Sequence, residues 1–304
     1  MATQTPLFSR RQPGGLFSIV DVPSHPGNVW FVDSGSTGAS DSAGYGQNPD
    51  APFATLDYAI GNCTADNGDT IYVMPGHAEV VSAAGGLDLD VAGITIVGLG
   101  RGATQPTVTL DTAITADVDV DAAGITVQNI HFVADFADIT AAIDVNADDF
   151  TLLNCRLTGD NAGKNAVIWV QDAAAGGSDR ITIEGCYCED RDAANTHFVN
   201  FAGTGNGHRI VGNVLHGDFG TMAVGGAGVV TNVYIADNII NNAANTVDSC
   251  INLAATVTGS VVRNLCAGAA AQANGVTATA CLIAENYYGV LAEDLSAILD
   301  PIAT

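Results

Sequence analysis

Hydrophobic and polar positions alternate in short runs along most of this chain, and one phrase keeps returning: a few β-branched or apolar residues, then Asn or Gly, then more apolar residues. It reads Ile94-Thr95-Ile96-Val97-Gly98, Ile125-Thr126-Val127-Gln128-Asn129, Phe150-Thr151-Leu152-Leu153-Asn154, Ile181-Thr182-Ile183-Glu184-Gly185, Ile210-Val211-Gly212-Asn213, Tyr234-Ile235-Ala236-Asp237-Asn238, Val261-Val262-Arg263-Asn264 and Leu282-Ile283-Ala284-Glu285-Asn286. With the Gly or Asn as marker, the steps are 31, 25, 31, 28, 25, 26 and 22 residues, the length of a solenoid coil. Val, Ile, Thr and aromatic residues fill each phrase while Gly, Asn and Asp punctuate it, so the unit is a strand. Further strand candidates lie between the phrases, among them Val167-Ile168-Trp169-Val170, Phe198-Val199-Asn200-Phe201 and Cys250-Ile251-Asn252-Leu253. No helical 3.6 period separates them. The pattern therefore predicts an all-β chain wound as a parallel β-helix of eight coils.

Asn at one place in coil after coil has a physical reason. Stacked carboxamides bond to those above and below and to the turn backbone, and Asn tolerates the left-handed conformation of a sharp corner. Asn129, Asn154, Asn213, Asn238, Asn264 and Asn286 are expected to form such a structural ladder.

A solenoid end is an unpaired sheet edge and needs a cover. Residues 50–62 carry a short amphipathic turn, Thr55-Leu56-Asp57-Tyr58-Ala59-Ile60, with Pro52 near its start, expected to close the first coil. Leu291 to Leu299, before Asp300-Pro301, is a second amphipathic candidate, so 291–304 reads as a C-terminal cap or tail. Residues 1–27 hold four prolines, the Gly14-Gly15 pair and Gly27 with no strong periodicity, and read as an extended arm ahead of a β-helix over 28–290.

Three linked motifs at the N-terminal end of the repeats resemble those of pectin-lyase-like proteins. They are Trp30-Phe31-Val32-Asp33-Ser34-Gly35, then Pro52-Phe53-Ala54-Thr55-Leu56-Asp57-Tyr58-Ala59, then Gly68-Asp69-Thr70-Ile71-Tyr72-Val73-Met74-Pro75-Gly76. That resemblance implies a single-stranded right-handed parallel β-helix. It carries no activity with it, because sugar lyases, tailspikes and virion proteins share this opening.

Composition agrees with the fold and narrows the partners. Thirty-five glycines, 47% hydrophobic and 14% charged residues suit tight turns around a long narrow core. The formal net charge of −24 argues against nucleic-acid binding. The arm differs, with Arg10 and Arg11 against Asp21 alone; Arg10, Arg11 and Phe17 are the candidates for contact with a partner. No apolar run reaches membrane-spanning length and no cleavable leader is evident. Seven cysteines, an odd number and mostly inside strand phrases, read as free buried thiols in a chain made in a reducing host cytoplasm.

Candidate chemistry is sparse. Asp117, Asp119 and Asp121 alternate with valine, which places three carboxylates on one side of a strand: a solvated face, or a weak calcium site. Arg156, Arg180, Arg209 and Arg263 fall near strand positions that could stack as a stripe, and His197, His208 and His216 recur in successive coils. Lys164 is the only lysine, which removes most lysine-base chemistry. Trp30 and Trp169, the natural sugar platforms, lie in apolar phrases; Tyr187, Tyr234, Tyr287 and Tyr288 are the remaining outward candidates.

The arm leading into Gly27-Asn28-Val29-Trp30, the run Gly61-Asn62-Cys63-Thr64, the phrase Pro75-Gly76-His77-Ala78-Glu79 and the phrase Asp90-Val91-Ala92-Gly93-Ile94 together resemble a group of phage and prophage β-helix proteins. This implies a non-enzymatic virion component, a capsid decoration or fibre-like protein, with the major capsid protein or another virion protein as partner and a homotrimer as assembly. The alternative is a tail protein that binds a receptor, a host surface glycan for example, or cleaves a polysaccharide on the same fold.

Overall fold

The computed structural model describes residues 8–9, 18–19, 27–159, 163–172, 177–243, 249–268 and 275–290. Three long parallel sheets run side by side, of ten, nine and eight strands. The chain visits them in rotation: Thr126–Gln128 lies in the first sheet, His131–Ala134 in the second and Ile143–Val145 in the third, before the first sheet is rejoined at Thr151–Leu153. Every pairing within these sheets is parallel and joins one coil to the next, which makes the fold a parallel β-helix.

Register follows from the alternation seen in the sequence. In the first sheet Ile71, Ile96, Val127, Leu152, Ile183, Ile210, Ile235, Val261 and Ile283 stand one above another and point inward. Slipping one residue would turn that whole column to solvent, so burial locks the coils in phase. On the outside of the same sheet Thr95, Thr126, Thr151 and Thr182 stack, a β-branched surface suited to the pleat.

The corner from the first to the second sheet corrects the expected ladder. Asn129 (φ 56°) and Asn154 (φ 52°) occupy a left-handed position that Gly185, Gly212, Asp237, Arg263 and Glu285 fill in later coils. The inward column is the next residue: Cys155, Cys186, Asn213, Asn238, Asn264 and Asn286 in successive coils. Here each side chain takes the backbone N–H of the preceding coil, Cys186 N to Asn213 Oδ1 at 2.9 Å, Asn213 N to Asn238 at 3.0 Å, Asn238 N to Asn264 at 3.1 Å and Asn264 N to Asn286 at 2.9 Å. Each Nδ2 also donates to a carbonyl of the preceding coil, as Asn264 does to Ile235 O at 3.0 Å. The ladder is thus four asparagines long. Asn154 is exposed outside it, and Asn129 instead ties down a loop through Gly98 O and Gly100 O.

The predicted N-terminal cap is a helix at Leu56–Ile60, with Thr55 as its N-cap and Leu56, Ala59 and Ile60 buried over the first coil. Within residues 1–27, Phe8–Ser9 and Ser18–Ile19 pair antiparallel. Arg10, Arg11, Phe17 and the cap expected over 291–304 lie outside the described residues.

Candidate functional site

The outer face of the third sheet carries a column of mostly polar side chains. Strand register aligns Asp88, Asp119, Asp144, Gln171, Asn200, Gly225, Asn252 and Thr277 in one column. Each of the first three sits between inward apolar residues: Leu87 and Leu89, Val118 and Val120, Ile143 and Val145. Neighbouring strands are about 4.8 Å apart, so three carboxylates are held in close succession. Burial, followed by repulsion from neighbouring aspartates, pushes Asp88, Asp119 and Asp144 above the usual carboxylate range. One oxygen of Asp88 and one of Asp144 are buried without a hydrogen-bond partner.

Asp117, Asp119 and Asp121 alternate with the buried Val118 and Val120, as the sequence pattern expects, but each makes different contacts. The strand itself is only Val118–Val120. Asp117 precedes it and accepts the Gly85 N–H at 2.6 Å; burial lifts its carboxyl to about 6 against that bond. Asp121 follows the strand, exposed, and accepts from Asn146 Nδ2 at 3.0 Å. Among the described residues no three His, Cys, Asp or Glu side chains converge as a metal-ion ligand set. Sequence reasoning missed Asp88 and Asp144, although the triplet of apolar residue, Asp, apolar residue recurs in all three coils and was the available signal.

Glycosidase carboxylates work as a pair whose environments push their proton affinities apart, one acid and one ionised partner. Asp88, Asp119 and Asp144 are all displaced the same way, by the same causes. No described arginine lies within ion-pair distance of them.

The arginine and histidine stripes do not form. Arg180 grips Asp149 of the preceding coil through Nε (2.6 Å) and a second nitrogen (2.8 Å), and reaches Asp148 at 3.2 Å. Arg263 holds Asp237 through two bonds of 2.8 Å and meets the Tyr234 hydroxyl at 2.9 Å. These are staples between coils, and they hold Asp149 and Asp237 below the usual carboxylate range. Arg156 lies over Tyr187 and Arg209 over Tyr234, on different sheets. His197 is on the third sheet and His216 on the second, while His208 is fully buried with its Nδ1 accepting from Ile181 N at 3.2 Å.

The aromatic candidates divide in the same way. Trp169 is wholly buried and its ring N–H donates to Asp190 at 3.1 Å; Trp30 is buried against Phe53. Tyr288 points inward, whereas Tyr287 is 49% exposed. Farther along the third-sheet face, a shallow hollow of about 460 Å³ is bordered by His197, Asn200, Thr221, Met222 and Asn252. All seven cysteines are free, five of them buried.

No family model and no curated protein sequence matches the chain. Solved structures that resemble it are a rhamnogalacturonan lyase (TM-score 0.47, 13% identity, covering 91% of this chain and 66% of that one) and the GH136 lacto-N-biosidase from Eubacterium ramulus (0.42, 10%, 87% and 68%). A third is PfbA, a surface adhesin of Streptococcus pneumoniae (0.38, 12%, 86% and 67%). The chain thus spans about two thirds of the length of each.

Proposed function

We propose that this chain is a non-enzymatic structural component of a phage virion, a capsid-attached β-helix anchored by its N-terminal arm. The observation that carries the non-enzymatic part is where the charged groups are placed. Arg180 and Arg263 staple coils together, and the third-sheet carboxylates are shifted in one direction with no cationic partner among the described residues. Polar chemistry serves the stack of coils and does not divide into an acid and a base. The virion assignment rests on the resemblance of the opening motifs to phage and prophage β-helix proteins. The major capsid protein or a neighbouring virion protein is the partner in this reading, the assembly is a homotrimer on a symmetric site, and no bound cofactor is required.

The hollow beside Asn200 and Asn252 favours a second reading, a tail protein that binds or cleaves a host glycan. Incubating the purified chain with host capsule, lipopolysaccharide and pectate, with calcium present, separates the two. The structural reading expects no new reducing ends. Turnover that disappears in Asp119→Ala at unchanged thermal stability would overturn it.

A further inference from the structure

At seven of the corners from the first to the second sheet the chain turns in two residues, as at Asn129-Ile130 and Asn154-Cys155. Between Thr95–Gly98 and Thr107–Leu110 it takes eight, and a 3-10 turn at Gly102–Thr104 stands out from the helix surface. This overhang and the corners of the next three coils enclose a concavity of about 500 Å³ that includes Arg101, Gln105, Gln128, Asn154, Arg156 and Tyr187. The volume falls in the range of small-ligand sites. The overhang is braced from below, since Asn129 Nδ2 donates to Gly98 O (2.7 Å) and Gly100 O (3.1 Å) and Gln105 Nε2 donates to Asn129 Oδ1 (3.2 Å).

The charge of this concavity opposes that of the molecule. In a chain of net charge −24, Arg101 and Arg156 have no carboxylate within ion-pair distance among the described residues, whereas Arg191 and Arg263 each have one and Arg180 has three. The Arg156 guanidinium is 5.8 Å from the centre of the Tyr187 ring, and the Tyr187 hydroxyl donates to Glu189 at 2.9 Å. That chain of contacts fixes the guanidinium before any ligand arrives. The carboxylates nearby, Glu184 and Glu189, do not reach either arginine, and His131 is held neutral, its affinity for a proton pushed down to about 4 by burial and then by Arg156. The Gln128 and Asn154 side chains make no hydrogen bond among the described residues.

We infer that this corner pocket binds an acidic sugar residue, a pyranose carrying a carboxylate or sulfate. Planar guanidinium forks match such oxyanions, and the carboxamides of Gln105, Gln128 and Asn154 supply both donors and acceptors for ring hydroxyls. The site is on a different face from the third-sheet column. Its assignment does not depend on the virion role.

Titration calorimetry on the full chain tests it, with a glucuronate-containing disaccharide, a sulfated disaccharide, the matching neutral disaccharide and inorganic phosphate as probes. The expected result is saturable binding of at least one acidic disaccharide, at least tenfold tighter than the neutral one. Arg101→Gln and Arg156→Gln should each weaken it tenfold or more with the melting temperature unchanged, while Arg209→Gln leaves it as it was. Equal binding of the neutral sugar, phosphate bound as tightly as the disaccharides, indifference to both substitutions, or no binding at all overturns the inference.

Discussion

His77 Nε2 lies 3.2 Å from Glu79 Oε2, and through this contact the first coil, the strand before it and the cap helix are joined. The other ring nitrogen, Nδ1, accepts the Ser34 N–H at 3.0 Å, so Nε2 carries the hydrogen and donates. The same Glu79 oxygen accepts the Leu56 N–H at 2.9 Å, one of the donors a helix start leaves open. Ser34, His77 and Glu79 resemble a nucleophilic triad in composition only: the Ser34 hydroxyl is turned to Ala78 O at 2.8 Å and the ring meets the serine's backbone.

Glu79→Ala leaves the His77 ring and the Leu56 N–H without their acceptor, at a cost of about 1–3 kcal/mol. Urea unfolding should show that loss, and amide exchange over Leu56–Ile60 should accelerate more than over Thr182–Glu184. Uniform exchange along the helix axis would show that the contact does not hold the cap.

The asparagine ladder separates two kinds of Asn. Asn264→Ala removes the acceptor of Asn238 N and the donor to Ile235 O inside the core, and about 2–4 kcal/mol should be lost. Asn154→Gly, at an exposed left-handed corner, should change stability by less than about 0.5 kcal/mol. Similar losses for the two would return Asn154 to the ladder.

Thiol chemistry reports on the core. Burial pushes Cys186 and Cys188 well above the usual thiol range and lifts Cys63 to about 12. Native protein should therefore react slowly with an aromatic disulfide reagent, and all seven thiols should become titratable in denaturant. Rapid stoichiometric labelling of the native chain would contradict this packing.

Much of the β-helix can be read from the sequence because in-register strands repeat one chemical choice, as Leu152, Ile183 and Ile210 do. The ladder was misplaced by one residue at Asn129 and Asn154, since Asn suits both the left-handed corner and the inward position beside it. Preceding residues distinguish the two: Gly212, Asp237, Arg263 and Glu285 already occupy the corner before a ladder Asn. The Asp88, Asp119, Asp144 column was hidden because loops of unequal length separate the triplets, so register depends on the fold. Arg101 lies in a glycine-rich run whose outward excursion has no hydrophobic period to mark it.

The acidic column fixes the sign of the pH dependence. Asp119 binds its proton more tightly folded than unfolded, so its favourable contribution is present at low pH and is lost as pH rises through the folded value. Asp117, lifted to about 6, and Asp190, lifted to about 7, act in the same direction. Asp69, Asp149 and Asp237 act oppositely in more acidic solution. His131 and His197, pushed down to about 4 chiefly by burial, oppose the aspartates between about pH 4 and 6.5, so the net loss of stability should show most clearly near pH 7, as Asp190 ionises. Asp119→Asn should raise the melting temperature more at pH 8 than at pH 3, because only at the higher pH does it relieve a buried, mutually repelling carboxylate. Calcium should raise the melting temperature of the original chain no more than magnesium does; a specific calcium gain abolished by Asp119→Asn would instead make the column a metal site.

The measurement that tests the virion role most directly is a density map of intact particles assembled with the full chain and with a chain lacking residues 1–27. The predicted result is an elongated β-helix standing on the capsid exterior in the first map and missing from the second, while the shortened chain remains folded in solution. Density at the tail alone, or undiminished incorporation without the arm, would contradict the account.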